Sequence, residues 1–171
     1  MIRILSIDDI AIFKAIRLEA LRTEPAAFAS SAEDWEALSD DEWRKRLVEG
    51  PVFVAFKRGD PIGIMGLSRQ RASKMAHRAT LIMVYVRGGE RTGGHAKELL
   101  EATVAYARKN GIRQLELAVS AENTAARRFY EREGFHEAGR IPGGFIHDSR
   151  EIDDVIMVRR INDQENVGSH R

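Results

Sequence analysis

The sequence of 171 residues contains no cysteine, which excludes disulfides, thiolate catalysis and cysteine-based zinc sites. It also has almost no excess charge, since 27 Lys and Arg stand against 26 Asp and Glu. That balance argues against a nucleic-acid partner, which would need a cluster of excess basic side chains. No apolar run reaches the roughly 18 residues of a membrane span, and residues 1–5 lack the long apolar core of a signal peptide. We therefore expect a cytoplasmic protein without a nucleic-acid or membrane partner.

The order of predicted elements indicates one α+β domain. A leading strand is followed by helices, an antiparallel hairpin, and then strand, helix, strand, helix and strand. This pattern predicts α/β/α layers around a mixed sheet of six to seven strands, with helices on both faces. We expect the domain to span residues 1–161, because the polar tail of residues 162–171 has the composition of a disordered terminus.

Two local patterns predict where elements begin and end. The Ser-x-x-Glu sequences that start at Ser30 and Ser39 are capping-box patterns, which predict two short helices. Near the end of the chain, Gly143 and Gly144 separate two strand-like runs, residues 135–140 and 152–159. Glycine pairs are common in turns, so we predict a loop at this position.

The most informative segment is residues 86–96, where four glycines lie between a strand-like run and a helix-like run. Glycines let the backbone turn tightly and leave its N–H groups uncovered. Those N–H groups precede a helix N-terminus, where unsatisfied donors and the helix dipole favour an anion. The segment therefore predicts a site for a phosphate or pyrophosphate.

Two common phosphate-binding motifs do not match this segment. The spacing of Gly89 and Gly94 is that of a P-loop, but His95 and Ala96 replace the Lys-Ser/Thr that would hold phosphate and magnesium. A dinucleotide-binding turn needs Gly-x-Gly-x-x-Gly inside a parallel βαβ unit, and the glycine spacing here differs. A flexible strand-to-helix turn is the remaining simple alternative.

Two motifs together resemble the GNAT (Gcn5-related N-acetyltransferase) superfamily. Residues 91–96, Arg-Thr-Gly-Gly-His-Ala, are similar to its acyl-CoA signature Arg-Gly-x-Gly-x-Gly/Ala. Residues 123–135 match its later signature Asn-x-x-Ala-x-x-Leu/Phe-Tyr-x-x-x-Gly-Phe, one predicted strand further on. The resemblance covers nearly the whole chain in element order and implies a GNAT-like domain of the bacterial small-molecule type. Thr92 departs from the signature, because it stands at the usual first glycine.

The resemblance implies acetyl-CoA as co-substrate and direct transfer of its acetyl group to an amine, with no metal. It assigns Tyr130 to protonating the departing thiolate, which suits a phenol that is protonated at neutral pH. A bulge near the end of the strand that precedes the loop is implied as well. The implied cofactor-binding residues are Val84, Val86, Arg91, Thr92, Gly93, Gly94, His95, Ala96, Asn123 and Tyr130.

Each assignment has a simpler alternative. Asn123 could be only a helix cap, and Tyr130 could be only part of a core-facing stripe. The base that deprotonates the amine stays open among Glu116, Glu33, Asp34, His77 and a water relay. In the superfamily the acceptor pocket is usually formed by the first two helices and the loop between the last two strands. Here those elements contain Phe28, Trp35 and the Gly143–Gly144 segment, although core packing explains Trp35 equally well.

The expected activity is acetyl transfer to a primary amine of a small molecule or an amino-acid-like acceptor. A protein N-terminus or lysine is an alternative acceptor, and a non-catalytic acyl-CoA-binding module is an alternative class of protein. A homodimer is an expectation from the superfamily.

Overall fold

The computed structural model describes residues 1–161, and the predicted tail lies outside them. The five α-helices of this part of the chain are α1 (Ile10–Thr23), α2 (Ala32–Glu36), α3 (Asp40–Glu49), α4 (His95–Lys109) and α5 (Thr124–Arg132). Its seven strands are β1 (Ile2–Ile4), β2 (Val52–Lys57), β3 (Asp60–Arg69), β4 (Arg78–Val86), β5 (Gln114–Ser120), β6 (His136–His147) and β7 (Arg150–Arg160). None of the helices in this range is long and apolar enough to cross a membrane.

The strands form one mixed sheet in the order β1-β2-β3-β4-β5-β7-β6. The β4–β5 pair is parallel, whereas β1–β2, β2–β3, β5–β7 and β6–β7 are antiparallel. The predicted α+β fold with six to seven strands is therefore confirmed. The described residues divide into two compact units, the first made of Met1–Ser68 and Leu81–Ala105, the second of Arg69–Thr80 and residues 106–161.

In the first unit, helices cover both faces of the sheet. Alternate residues of a strand point to opposite faces, and β3 shows what each face meets. Ile64 belongs to the buried cluster that contains the apolar side chains of α1 and α3. Its neighbour Met65 lies on the other face, where the hydroxyl oxygen of Thr103 of α4 is 3.3 Å from its sulfur. Burial on both faces explains why β2 and β3 contain long apolar runs.

Serines begin the short helices, but one of them is not the predicted residue. Ser39 caps α3, as predicted, by accepting a hydrogen bond from the backbone N–H of Glu42. The prediction of Ser30 as the cap of α2 was wrong by one residue. The cap is Ser31, which forms a reciprocal capping box with Asp34. Both Ser-x-x-acid patterns occur at consecutive positions, so spacing alone could not decide between them.

In the second unit, the predicted loop at Gly143–Gly144 is wrong, because β6 continues through both glycines to His147. The register with β7 shifts between Ile141 and Phe145. Gly143 has a φ of 56°, and its N–H donates to the carboxylate of Asp153 at 3.0 Å. The glycines therefore form an irregularity inside the strand, as glycines often do at bulges. The reversal occurs at Asp148 and Ser149, whose φ values are 50° and 62°.

Candidate functional site

Strand β4 leads into the glycine segment and departs from regular strand geometry shortly before its end. Met83 has a φ of 57°, in the left-handed region that few non-glycine residues adopt. This is the position where the superfamily resemblance implies a bulge. Val84, the next residue, is half-buried, and Val86 is buried at the end of the strand. Such an interruption removes a backbone group from the regular pairing pattern of a strand.

The glycine segment folds as a short 3-10 turn over Gly88–Gly93, and α4 begins at His95. Gly94 joins the two with a φ of 78° and a ψ of 10°, a left-handed conformation that suits glycine. Thr92 is not among the residues with positive φ. The backbone at the usual first glycine position is therefore one that threonine adopts without strain. Of the loop glycines, Gly94 is the one whose backbone conformation requires glycine.

The side chains of the first motif lie in two environments. Residues 91–94 are exposed, whereas His95 and Ala96 are half-buried. The Nε of Arg91 donates to the carbonyl of Val86 at 3.0 Å, and its guanidinium also pairs with Glu24. Arg91 is thus tied to the end of β4 and to the residue that follows α1. To pair with a phosphate it would have to exchange its contact with Glu24.

His95 carries an unsatisfied polar atom in the first turn of α4. Its Nδ1 is buried and has no hydrogen-bond partner in the described part of the chain. Its Nε2 lies 3.8 Å from a carboxylate oxygen of Glu90, which also accepts from Lys57 at 3.0 Å. A Cβ added at Gly93 would lie 2.8 Å from the same Nε2. The absence of a side chain at Gly93 therefore leaves room for the imidazole, and the turn fits a ligand that presents hydrogen-bonding groups.

An ion-pair network that sequence reasoning missed connects the end of β4 to α1. Arg87 donates to both carboxylate oxygens of Glu19, at 2.7 and 3.1 Å, and the hydroxyl of Tyr85 donates to Glu19 at 2.9 Å. The hydrogen bond from Arg87 holds the pKa of Glu19 below its usual value. Burial, and then the bond to Glu19, raise the pKa of Tyr85. Partners more than 60 residues apart leave no local signal in the sequence.

The second motif lies on α5 in the second unit. The Oδ1 of Asn123 accepts a hydrogen bond from the N–H of Ala126 at 3.2 Å, so Asn123 does cap the helix. Tyr130 is 5% exposed, and its ring packs against those of Phe129 and Phe135. No hydrogen bond to its hydroxyl occurs within residues 1–161. Burial raises the pKa of Tyr130, so the phenol stays protonated across the neutral range.

Two of the candidate bases are already engaged. Arg78 donates to Glu116 at 2.7 Å, Gln114 donates to it at 2.9 Å, and the bond from Arg78 holds the pKa of Glu116 below its usual value. A carboxylate stabilised in this way is a weak base. Asp34 accepts from the N–H of Ser31 in the capping box. Over residues 1–161, no three His, Asp or Glu side chains group as metal ligands would.

On the helical side of the first unit, the predicted acceptor residue Trp35 is a core residue. It is 7% exposed and packs against Phe13 and Trp43, with ring centroids 6.0 and 5.1 Å away. Phe28 is half-buried and packs against the same cluster. Between the two aromatics lies the guanidinium of Arg17, 4.9 Å from the ring centroid of Phe28 and 4.5 Å from that of Trp35. Arg17 is a buried residue that was not among the predicted site residues.

The mixed seven-stranded sheet and the glycine turn before α4 define an α+β domain with an anion-compatible helix N-terminus. Comparison with known proteins identifies the family. The sequence model of the acetyltransferase (GNAT) family matches residues 15–135. This match covers more than half of the chain, so the protein belongs to the GNAT family.

Individual relatives agree with this assignment. An uncharacterized N-acetyltransferase of Methanocaldococcus jannaschii is 31% identical over 104 residues, which are 60% of this chain and 46% of that protein. The chain thus spans about half the length of this curated relative. A GNAT-family acetyltransferase of Streptococcus pneumoniae superposes with a TM-score of 0.83 at 24% identity, covering 94% of this chain and 98% of the other.

The protein yncA of Salmonella typhimurium, whose structure was determined with its cofactor acetyl-CoA, superposes with a TM-score of 0.78 at 20% identity. The superposition covers 95% of this chain and 94% of the other. At this level of identity the two solved structures support the fold alone.

Proposed function

We propose that this protein is an acetyl-CoA-dependent N-acetyltransferase that acts on a primary amine of a small molecule or an amino-acid-like compound. The observation that carries the proposal is the turn over Gly88–Gly93, which enters α4 through the left-handed Gly94. A helix N-terminus with uncovered backbone donors suits a pyrophosphate. The buried Nδ1 of His95 has no partner within residues 1–161, which supports the proposal further, because buried polar atoms are normally hydrogen-bonded.

When bound, acetyl-CoA supplies an acetyl group on a thioester, and transfer breaks the C–S bond while the amine nitrogen forms a new C–N bond. The amine nitrogen loses one proton in this step, which balances the proton that the leaving thiolate gains. The proposed pyrophosphate contacts are the residues of the first motif, Arg91, Thr92, Gly93, Gly94, His95 and Ala96. We assign the backbone of Val84 and Val86 to the acetyl and pantetheine groups. Backbone N–H groups near the interruption at Met83 suit the oxygen on which negative charge develops.

The second motif contributes a proton and a contact to the same proposed reaction. Tyr130 donates a proton to the leaving thiolate, because its buried phenol is protonated and its hydroxyl is not engaged by another residue within 1–161. Asn123 uses Oδ1 for the helix cap, which leaves its side-chain NH₂ for a carbonyl of the CoA arm. Capping and ligand binding therefore use different atoms of Asn123.

Two measurements on the purified chain test this proposal. CoA should raise the melting temperature, since a ligand at 100 times its Kd stabilises the folded state by about 2.7 kcal/mol. With acetyl-CoA present, a panel of primary amines should produce CoA release that depends on the amine. Stabilisation by CoA without release across the panel would instead identify a non-catalytic acyl-CoA-binding module. Release only with peptides would identify a protein acetyltransferase, and no stabilisation would reject both classes.

A further inference from the structure

Within residues 1–161, Arg17 is a buried charged side chain without a counter-ion. The residue is 4% exposed, and its Nε and Nη1 are fully enclosed without a hydrogen-bond partner in the described part of the chain. Buried guanidinium groups are normally paired, because removing a charge from water costs far more than the contacts it gains in an apolar core. An enclosed arginine that has no partner within residues 1–161 therefore indicates a site for a bound ligand.

The neighbours of Arg17 do not supply that partner. Phe28 and Trp35 contact the guanidinium through their rings, which stabilise a cation but accept few of its N–H hydrogen bonds. The second cation at this place is Arg46, whose guanidinium carbon lies 4.3 Å from the centroid of Trp35. Burial, and then the charge of Arg46, lower the pKa of Arg17 to about 10. Arg17 is still positively charged at neutral pH, so two cations meet at one indole ring.

The place of this guanidinium in the first unit relates it to the proposed acetyl site. Trp35 and Tyr85 belong to one buried cluster, against which Phe28 and Met83 pack. Met83 is the interrupted residue of β4, and the next residue, Val84, is a proposed acetyl contact. The cluster that surrounds Arg17 thus reaches the strand where the acceptor amine would have to arrive.

We propose that Arg17 binds a carboxylate of the acceptor, so that the substrate class is an amine that also carries a carboxylate, as an amino acid does. This inference rests on the proposed function and specifies its substrate. A guanidinium presents parallel N–H donors that match the two oxygens of a carboxylate. Arg46 adds positive potential at the same ring, and the aromatic side chains keep water away from the pair.

The test compares matched acceptors on wild type and on Arg17→Met, which keeps much of the volume and removes the charge. The probes are the twenty L-amino acids and their carboxamides. For the amino acid that wild type acetylates best, kcat/KM should be higher than for the matching carboxamide. In Arg17→Met the ratio of these two kcat/KM values should fall by roughly tenfold to a hundredfold. Activity on the carboxamide should change less than threefold. Carboxamides have less basic amines and hence more free nucleophile, which works against the predicted preference.

Two further variants complete the series. Arg17→Lys keeps the charge without the planar fork and should retain part of the preference. Lys45→Gln removes an exposed cation from α3, the helix that carries Arg46, and should leave the preference unchanged. Equal losses on acids and carboxamides would assign Arg17 a purely structural role and overturn the inference. A wild type that treats acids and carboxamides alike would overturn it as well, even if every Arg17 variant failed to fold.

A binding measurement separates this inference from the proposed function. N-acetyl amino acids should raise the melting temperature of wild type more than N-acetyl amino amides do, and Arg17→Met should abolish the difference. Acetylation of amides as fast as of acids would leave the acetyltransferase proposal standing and reject the role of Arg17. CoA should stabilise Arg17→Met and wild type equally. A smaller shift in the variant would mean that the guanidinium binds a phosphate of CoA, which also rejects the acceptor role.

Discussion

Tyr130 and Arg17 are both buried polar side chains, but burial has opposite consequences for them. A neutral phenol loses little by entering an apolar environment, and burial raises the pKa of Tyr130 so that it keeps its proton. A guanidinium enters as a cation, and burial lowers the pKa of Arg17 to about 10, which still leaves it charged at neutral pH. Tyr130 therefore keeps its proton at neutral pH, and Arg17 is suited to attracting an anion.

We predict that Tyr130→Phe lowers kcat on the order of 100-fold, the contribution expected of a positioned general acid. CoA affinity should stay within about twofold, because the ring and its packing are kept. Steady-state kinetics and CoA-induced thermal shifts measure the two effects. Tyr106→Phe, which removes a phenol from α4, serves as the matched control and should have wild-type kinetics. Wild-type kcat in Tyr130→Phe would remove Tyr130 from proton transfer.

A second residue-scale prediction concerns Gly94. Alanine at this position should cost roughly 1–2 kcal/mol of folding free energy, because the left-handed conformation disfavours a Cβ. Gly59, in the β2–β3 turn, is a matched control. Its φ is 79° and that of Gly94 is 78°, and an added Cβ meets open space at both positions. Urea unfolding should show similar losses for Gly94→Ala and Gly59→Ala. Only Gly94→Ala should also weaken the thermal shift by CoA, and equal shifts in the two variants would argue against the proposed pyrophosphate site.

At the scale of elements, the β6–β7 hairpin shows how local sequence can mislead. The paired glycines are the stronger turn signal, but they lie inside β6, where Gly143 bonds to Asp153 of the neighbouring strand. The turn itself uses Asp148 and Ser149, both with positive φ, as two-residue type I′ turns require. Serine is a poor choice at such a position, because its Cβ is crowded there.

We therefore predict that Ser149→Gly stabilises the protein by about 0.5–1 kcal/mol. This is the energy gained by relieving the strain of the left-handed backbone, minus the larger loss of backbone entropy that glycine suffers on folding. Chemical denaturation measures the change. Ser149→Ala retains the Cβ and should give no gain. If alanine stabilised as much as glycine, backbone strain at Ser149 would not be the cause.

At the scale of the whole molecule, most carboxylates with a shifted pKa make the fold sensitive to acid. Hydrogen bonds and ion pairs lower the pKa of Asp9, Glu19, Asp40 and Glu116. A carboxyl group whose pKa is lower in the folded than in the unfolded state contributes stability above its unfolded pKa and loses it as the pH falls. Burial raises the pKa of Asp154, which acts in the opposite direction. Carboxyl groups with a lowered pKa outnumber the one with a raised pKa, so acid should destabilise the protein.

We predict that the free energy of unfolding is steady near neutral pH and falls as the pH drops below about 4.5, the unfolded value for glutamate. Glu19→Gln should lower it at pH 7 by at most about 1 kcal/mol, because the partly exposed pair with Arg87 is screened by solvent. The variant should also lose less stability between pH 5 and pH 2 than wild type does. Urea titrations across this range measure both effects, and parallel curves would mean that Glu19 has the same pKa in both states.

The sequence by itself determined the features that depend on local order. Alternating apolar residues and helical spacing predicted the α+β fold, because they reflect which face of an element is buried. The glycine segment and the residues 123–135 were recognisable because backbone turns and helix caps need particular residue types at fixed spacing. Both motifs lie within the residues matched by the family model.

Only the tertiary structure decided the features that depend on residues distant in the chain. Arg17 reads as one of many charged residues on a helix, and its burial between Phe28 and Trp35 follows from how α1, α2 and the segment after α1 pack. The partners of Glu19 on β4 are equally invisible to local patterns. The path of β6 through Gly143 depends on pairing with β7. Burial and strand pairing depend on contacts between residues far apart in the chain, and a short stretch of sequence does not show those contacts.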